Sequence, residues 1–380
     1  MQTPLTRQQI CALTAKKLLA QSPNLKSLKS LIGLDGFVDE IIAVVHKRHG
    51  DGDQFDPIRT ISDLGSKISA ASGQSSNYEL VIKQRKLGGN GPIMASALAN
   101  IGITVTYIGN LGYPNIDPVF DDFSKKAHLV SIGQPAHTDA LEFEDGKLML
   151  GKLEPLHDVT WDNLLSRVGP DRLKSLIDGS QLIGMVNWTM LPHMSRIWAK
   201  LLDDVIPNIE RHQRKLFIDL ADPEKRTHED ILDALKLLTR FQDQVDVILG
   251  LNLKESLEVA DVLGLPGRAN PESAIEENAR AIREKLNLAC VVIHPRRGAA
   301  AATESSSATF EGPFINQPKI STGAGDHFNA GFCLARLLNF SLEESLCTGV
   351  STSGFYVRNA TSPTAQQLAE FIANLPAPQP

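Results

Sequence analysis

An α/β fold with a mostly parallel central sheet, covered by helices on both faces, is predicted by three observations. Short apolar runs alternate with segments of helical spacing along most of the 380 residues. Strands of a parallel sheet are buried on both faces, so they read as near-continuous apolar runs, and the crossovers between them need helices. Polar residues suited to chemistry (Asp35, Asn187, Asp219, Asn252) stand at or just past the ends of those runs, which is where such sheets bind ligands. The composition, 42% hydrophobic and 22% charged, is that of a soluble globular chain. The length suits one large domain or two of ordinary size.

Residues 6–19 have the spacing of an amphipathic helix, with Ile10, Leu13, Leu18 and Leu19 on one side and Arg7, Lys16 and Lys17 toward solvent. Strands are predicted at 31–34, 104–108, 182–186, 216–220, 245–251 and 289–294, and helices at 93–101, 194–209, 231–241 and 274–286. Two segments break the alternation. Residues 139–150 read as a β-hairpin turning at Asp145-Gly146. The polar region 46–85 holds a helical pattern near 61–71, a loop at 72–77 and a strand-like alternation at 78–82. Residues 376–380 read as a frayed tail, and no internal repeat is found.

Several classes are disfavoured. The net charge is −6 and the basic residues are dispersed, whereas a nucleic-acid partner calls for a basic face. No stretch approaches the ~18 uninterrupted apolar residues of a membrane span, and Met1 to Arg7 lacks the basic-then-apolar pattern of a signal peptide. Cys11, Cys290, Cys333 and Cys347 have no metal-type spacing and read as thiols rather than disulfides. A cytoplasmic enzyme fits.

The most informative segment is Ser321-Thr322-Gly323-Ala324-Gly325-Asp326-His327-Phe328-Asn329. A small-residue turn opening a helix aims backbone N–H groups at one point and attracts anions, phosphate above all. A carboxylate beside them would repel phosphate unless it served to take a proton from the attacking hydroxyl. No Gly-Lys-Ser/Thr follows, so the turn is not a Walker loop.

Thr322-Gly323-Ala324-Gly325-Asp326 resembles the second signature of the ribokinase-like (PfkB) carbohydrate kinases. Gly88-Gly89-Asn90-Gly91-Pro92 resembles their first, Asn252-Leu253-Lys254-Glu255 their Asn-x-x-Glu element, and residues 33–39 their opening strand. All four occur in the family's order across roughly residues 28 to 375. The resemblance implies a ribokinase-like three-layer α/β/α kinase domain over 28–375, a helical extension at 1–27, and a small β-lid from segments at about 40–85 and 136–156. It further implies phosphorylation of a hydroxymethyl group on a sugar or sugar acid with ATP and Mg²⁺. Two alternatives are a nucleoside kinase, favoured by a base pocket around Phe37, Ile93 and Trp188, and a silent sugar-binding regulator. A homodimer through the lid is a further possibility.

The same resemblance assigns roles. Asp326 is the base, with Gly323, Ala324 and Gly325 as the anion hole. Asp35 or Asp39, with Gly88, Gly89, Asn90 and Asn187, would contact the sugar. Asn252, His294, Arg296, Gly298, Thr322, Gly323 and Gly325 would face the nucleotide. Asn252 and Glu255 would support Mg²⁺ through water, although their spacing is also that of a helix capping box. Asp219 and Asp222, near Arg226, either support phosphate and metal or form loop salt bridges. Where the family commonly has an aspartate that helps to hold a monovalent cation, this chain has Ile320, which leaves potassium activation open; Ile93 replaces a frequent sugar-binding asparagine.

Overall fold

The computed structural model describes residues 5–50, 52–210 and 213–380. Fourteen strands form among the described residues: β1 (Lys29–Leu34), β2 (Phe37–Arg48), β3 (Phe55–Pro57), β4 (Leu80–Gly88), β5 (Thr104–Gly109), β6 (His128–Ser131), β7 (Ala136–Phe143), β8 (Gly146–Lys152), β9 (Leu182–Val186), β10 (Lys215–Asp219), β11 (Asp246–Leu251), β12 (Cys290–Ile293), β13 (Gly298–Thr303) and β14 (Ser307–Glu311). Nine make one sheet in the order β14-β13-β12-β11-β10-β9-β1-β5-β6. Every neighbour pair from β12 to β6 is parallel, and only β13 and β14 run antiparallel at one edge. The central strands are apolar and buried throughout, as the continuous runs in the sequence require: β9 reads Leu-Ile-Gly-Met-Val with every residue buried.

Helices cover both faces. On one side pack Arg7–Gln21, Asn90–Ile101, Ala324–Leu337, Leu342–Asn359 and Ala365–Ala373. On the other pack Trp161–Val168, Pro170–Asp178, Met194–Lys200, His228–Gln242, Leu253–Val262 and Ile275–Leu286. Among the described residues no helix is long and apolar enough to cross a membrane.

Several expectations need correction. The first helix buries Ile10, Cys11, Thr14, Ala15 and Leu18. Leu13 and Leu19, placed on the inner side from spacing, are 41% and 47% exposed. The helix predicted over 194–209 regularly coils only to Lys200, then widens into a π-turn over Leu201–Val205 before Pro207. The hairpin turn is Glu144-Asp145, one residue earlier than expected, because Phe143 pairs with Gly146. Residues 376–380 are tied rather than frayed: Gln379 donates its N–H to the Phe314 carbonyl at 3.0 Å, and its side chain accepts from Asn316 N–H at 2.8 Å.

A second sheet of five strands stands over the carboxyl ends of the main one. Here β2 pairs antiparallel with β4 and β3, and parallel with β7, which hairpins into β8. Residues 49–79 enlarge this lid. The helix Ile61–Ala70 packs on its outer face, and Ile42, Val44, Ile58, Leu64 and Leu141 form a small apolar core there. The Asp145 carboxylate accepts the Ile61 N–H at 2.8 Å and fixes this helix to the hairpin turn.

The helices Ala324–Leu337 and Leu342–Asn359 pack closely because Gly331 lets their backbones meet. A Cβ at position 331 would lie 2.7 Å from the Thr348 carbonyl oxygen and 2.8 Å from Thr352 Cβ. Gly331→Ala is therefore expected to destabilise the protein by about 1–3 kcal/mol, the usual cost of overpacking, read as a lower urea midpoint.

Candidate active site

The residues singled out by the sequence converge at the carboxyl ends of β1, β10 and β11. Gly323 adopts a left-handed conformation (φ 90°) as N-cap of the helix Ala324–Leu337, and a 3.2 Å bond from the Ala324 N–H to the Ser321 carbonyl closes the turn before it. Asp326 lies in that first turn, 7% exposed, and accepts a 3.0 Å hydrogen bond from Asn90 Nδ2. Burial raises its pKa well above the carboxylate range, and the nearby charges of Asp219 and Asp35 push it further; the Asn90 bond opposes them.

Asp35 is fully buried. Its carboxylate accepts from the backbone N–H of Asn90 and Gly91, each at 3.0 Å, from Asn187 Nδ2 at 2.8 Å and from the Tyr107 hydroxyl at 3.0 Å. These donors use the lone pairs that a sugar would need, so Asp35 joins β1 to the first glycine motif. Asn187, likewise buried, donates from Nδ2 to Asp35, while its Oδ1 has no partner among the described residues. A residue at position 91 is confined in turn, since a Cβ there would sit 2.5 Å from Asp35 Oδ1. Asp39, on β2, belongs to the lid and faces the cleft beside its cross-strand neighbours Lys86 and Thr138. Burial raises its pKa while Lys86 and the Thr138 hydroxyl oppose the shift. Gly88 leaves room for it: a Cβ would come within 2.6 Å of Asp39 Oδ2. Gly89 (φ 94°) turns the chain from β4 into the helix that carries Asn90.

Asn252 and Glu255 form both halves of a capping box at the start of Leu253–Val262. The Glu255 carboxylate accepts N–H from Asn252 at 2.8 Å and from Asp222 at 3.0 Å. Burial, then Asp219, raises its pKa to about 8. Asp219 is pushed to about 6 by burial, although the Ala221 N–H and Asn329 Nδ2 hold its two oxygens. Such a set of mutually repelling, desolvated acids suits a divalent cation, which would relieve the repulsion, and the partly hydrated Mg²⁺ ion accepts ligands through water. Asp222, in contrast, forms ion pairs with Lys225 and Lys254 at 2.9 and 3.0 Å, and Arg226 is bound to the carbonyls of Thr189 and Leu191. The loop salt-bridge reading fits Asp222, with lysines rather than Arg226 as its partners.

Beside the anion loop opens a cavity of about 710 Å³, lined by Asn252, His294, Arg296, Gly298, Thr322, Ala324 and Gly325 among others. That volume is within the range of roughly 300–1,000 Å³ typical of small-molecule sites. The His294 ring stacks on Phe328 at 4.6 Å, and its Nε2 is buried without a partner among the described residues. Val350, Ser353, Gly354 and Val357 close the far wall. Two other concavities lie on the lid around Phe55 and Phe143, away from every motif.

Sequence reasoning missed several participants. Tyr107 and Asn329 hold Asp35 and Asp219 through the bonds above. Lys147, two residues past the hairpin turn, reaches from the lid to the Thr322 hydroxyl. His327 and Tyr356 stack at 3.6 Å and brace the loop. Tyr356 donates to the Thr322 carbonyl at 3.0 Å, and His327 Nδ1 donates to the Gly323 carbonyl at 2.7 Å. A carbonyl only accepts, so the neutral ring carries its proton on Nδ1 and takes the Ser362 hydroxyl proton at Nε2, 2.8 Å away. Trp188, a candidate for a nucleobase platform, is 1% exposed, with its N–H on Ser195.

A parallel sheet with a β-lid, a glycine-led helix start and an acid at its first turn define a carbohydrate kinase of the ribokinase-like, PfkB type. The chain matches the prokaryotic ketohexokinase family over residues 12–375 and belongs to it. It is 29% identical over 345 residues to a ketohexokinase of Haloferax volcanii, covering 90% of each chain. Similar solved structures include phosphofructokinase-2 from Escherichia coli (TM-score 0.63, 14% identity, 92% and 98% of the two chains). Another is an Arabidopsis thaliana ribokinase complexed with ribose and ATP (TM-score 0.60, 14% identity, 91% and 98%). At these identities the structures share the fold.

Burial pulls the pKa of His327 from its ordinary 6.5 down to about 4. The unfolded chain therefore binds the extra proton between these values, and this residue's contribution to stability falls as pH drops through that window. Comparison with His327→Gln isolates the effect, because the acids with raised pKa are common to both proteins. Relative to the variant, the wild type is expected to lose about 2 kcal/mol between pH 7 and pH 5 in urea unfolding. A constant difference would mean that the ring is not held neutral.

Proposed function

We propose that the protein transfers the γ-phosphoryl group of ATP to a hydroxymethyl group of a ketohexose, with Asp326 as the base. The observation that carries this reading is the placement of a buried, unusually basic carboxyl directly after the Gly323–Gly325 turn. As the substrate oxygen bonds to the γ-phosphorus, its proton passes to Asp326, and the bond from phosphorus to the β,γ-bridging oxygen breaks with its electron pair leaving on ADP. In this reading the N–H groups of Gly323 and Gly325 face the negative charge that accumulates on the equatorial oxygens, while that of Ala324, bonded to the Ser321 carbonyl, holds the turn. Asn90 orients the Asp326 carboxyl.

On the sugar side, Asp39 accepts paired hydroxyls, and Gly88 and Gly89 leave room for the Asp39 and Asp35 carboxylates beside the backbone. On the nucleotide side, His294, Arg296 and Gly298 line the cavity with Thr322. Asp219, Glu255 and Asn252 would hold Mg²⁺ through water; when bound it neutralises phosphate charge. The lid shields the transfer from water, which would otherwise take the phosphoryl group. The ketohexose assignment draws on the family and on the Haloferax relative. Burial of Trp188 removes the platform that would have favoured a nucleoside.

With ATP and Mg²⁺, D-fructose or another ketohexose is expected to give the highest kcat/KM in a coupled ADP assay. Asp326→Asn is expected to lower kcat at least ~10³-fold while sugar-induced thermal shifts persist. A higher kcat/KM for ribose, adenosine or a sugar acid would overturn the substrate, and near-normal turnover in Asp326→Asn would overturn the base.

A further inference from the structure

Lys147 combines features that the reading above leaves unused. It is the second residue of β8 and pairs across the hairpin with Glu142. Thr138, Ala140 and Glu142 alternate onto the same face of β7, and Thr138 pairs with Asp39, so Lys147 projects from the cleft side of the lid. Its ammonium group donates to the hydroxyl of Thr322, the residue immediately before the anion turn. It also lines the nucleotide-side cavity together with Asn252, His294, Ala324 and Gly325. Lys86, Asp39 and Glu142, which share this lid face, do not line that cavity. Lys152, on the same strand but facing outward, is spent on an ion pair with Asp139 at 2.8 Å. The two lysines of one strand thus have different occupations, one within the lid and one across the cleft.

A neutral hydroxyl uses one of the three ammonium donors and none of its charge. Lys147 is partly desolvated, and repulsion from Lys86 adds to the desolvation in lowering its pKa while Glu142 and Asp39 counter both. A cation held this way, at the edge of an amide-lined anion hole, is poised for an anionic oxygen. We propose that Lys147 is a catalytic residue carried by the lid: on closure its ammonium group contacts an equatorial oxygen of the transferring phosphoryl group, opposite the Gly323–Gly325 amides. The lysine remains protonated throughout; bond making, bond breaking and proton transfer are those already described. Charge stabilisation then becomes complete only when the lid is shut over a sugar, which links closure to transfer and disfavours attack by water.

This inference rests on the kinase reading, which wild-type turnover and Asp326→Asn test separately. With the best sugar found for the wild type, Lys147→Met is expected to lower kcat by about 10²–10³-fold and leave KM for sugar and ATP within about threefold. Lys147→Arg is expected to recover at least tenfold of that loss, and Lys152→Met to retain wild-type kcat. A kcat for Lys147→Met within threefold of wild type overturns the proposal. So does a loss expressed as raised sugar KM, which would make Lys147 a sugar contact. An equal loss in Lys152→Met would also overturn it, because the effect would then be one of lid stability.

Discussion

Four carboxylates, from Asp35, Asp219, Glu255 and Asp326, gather where strands β1, β10 and β11 end, and holding them there organises the rest of the site. Each is desolvated, and the charges of its neighbours raise its pKa further where they act. Such a cluster persists only if fixed donors meet the oxygens. The chain supplies them from distant segments. Asn90 reaches Asp326, Asn187 reaches Asp35 and Asn329 reaches Asp219, while the backbone N–H groups of Asn90, Gly91, Ala221, Asp222 and Asn252 complete the set. The first glycine motif, the anion turn and the Asn-x-x-Glu element are therefore joined by hydrogen bonds as well as by nearness. The sheet's strand order follows from the same need, because only parallel neighbours deliver their carboxyl ends to one edge.

Much of this was legible in the chain. The continuous apolar runs gave six of the central strands to within two residues, since a strand buried on both faces leaves an unmistakable composition. Motif order identified the family and brought Asp326, Gly323, Gly325, Asn90 and Glu255 into one neighbourhood. Helix faces were read less well: Leu13 and Leu19 follow helical spacing but lie on the exposed side, because what the first helix buries depends on the C-terminal helices it meets. Asp35 and Asn187 illustrate a second limit. Sequence places them at the right strand ends, yet whether a carboxylate faces solvent or is surrounded by Tyr107 and two backbone amides is set by β5, seventy residues away. Lys147 and Tyr356 were missed for the same reason, as their partner Thr322 is remote in sequence.

The enlarged lid differs from a bare hairpin in one physical respect. Most small sheets depend on a neighbour to cover their apolar side, but here the helix Ile61–Ala70 does so within the same segment. The lid therefore carries its own cohesion and does not rely on the sheet below for it.

A lid with its own core would move as one piece, about the places where the chain enters and leaves it. Two of these crossings run through Gly36 and Gly88-Gly89, next to Asp35 and Asp39. These crossings thus share short stretches of main chain with the two acids. Any tilt of the cover would therefore move Asp39 relative to Asp35, which stays bonded to the start of the first glycine motif.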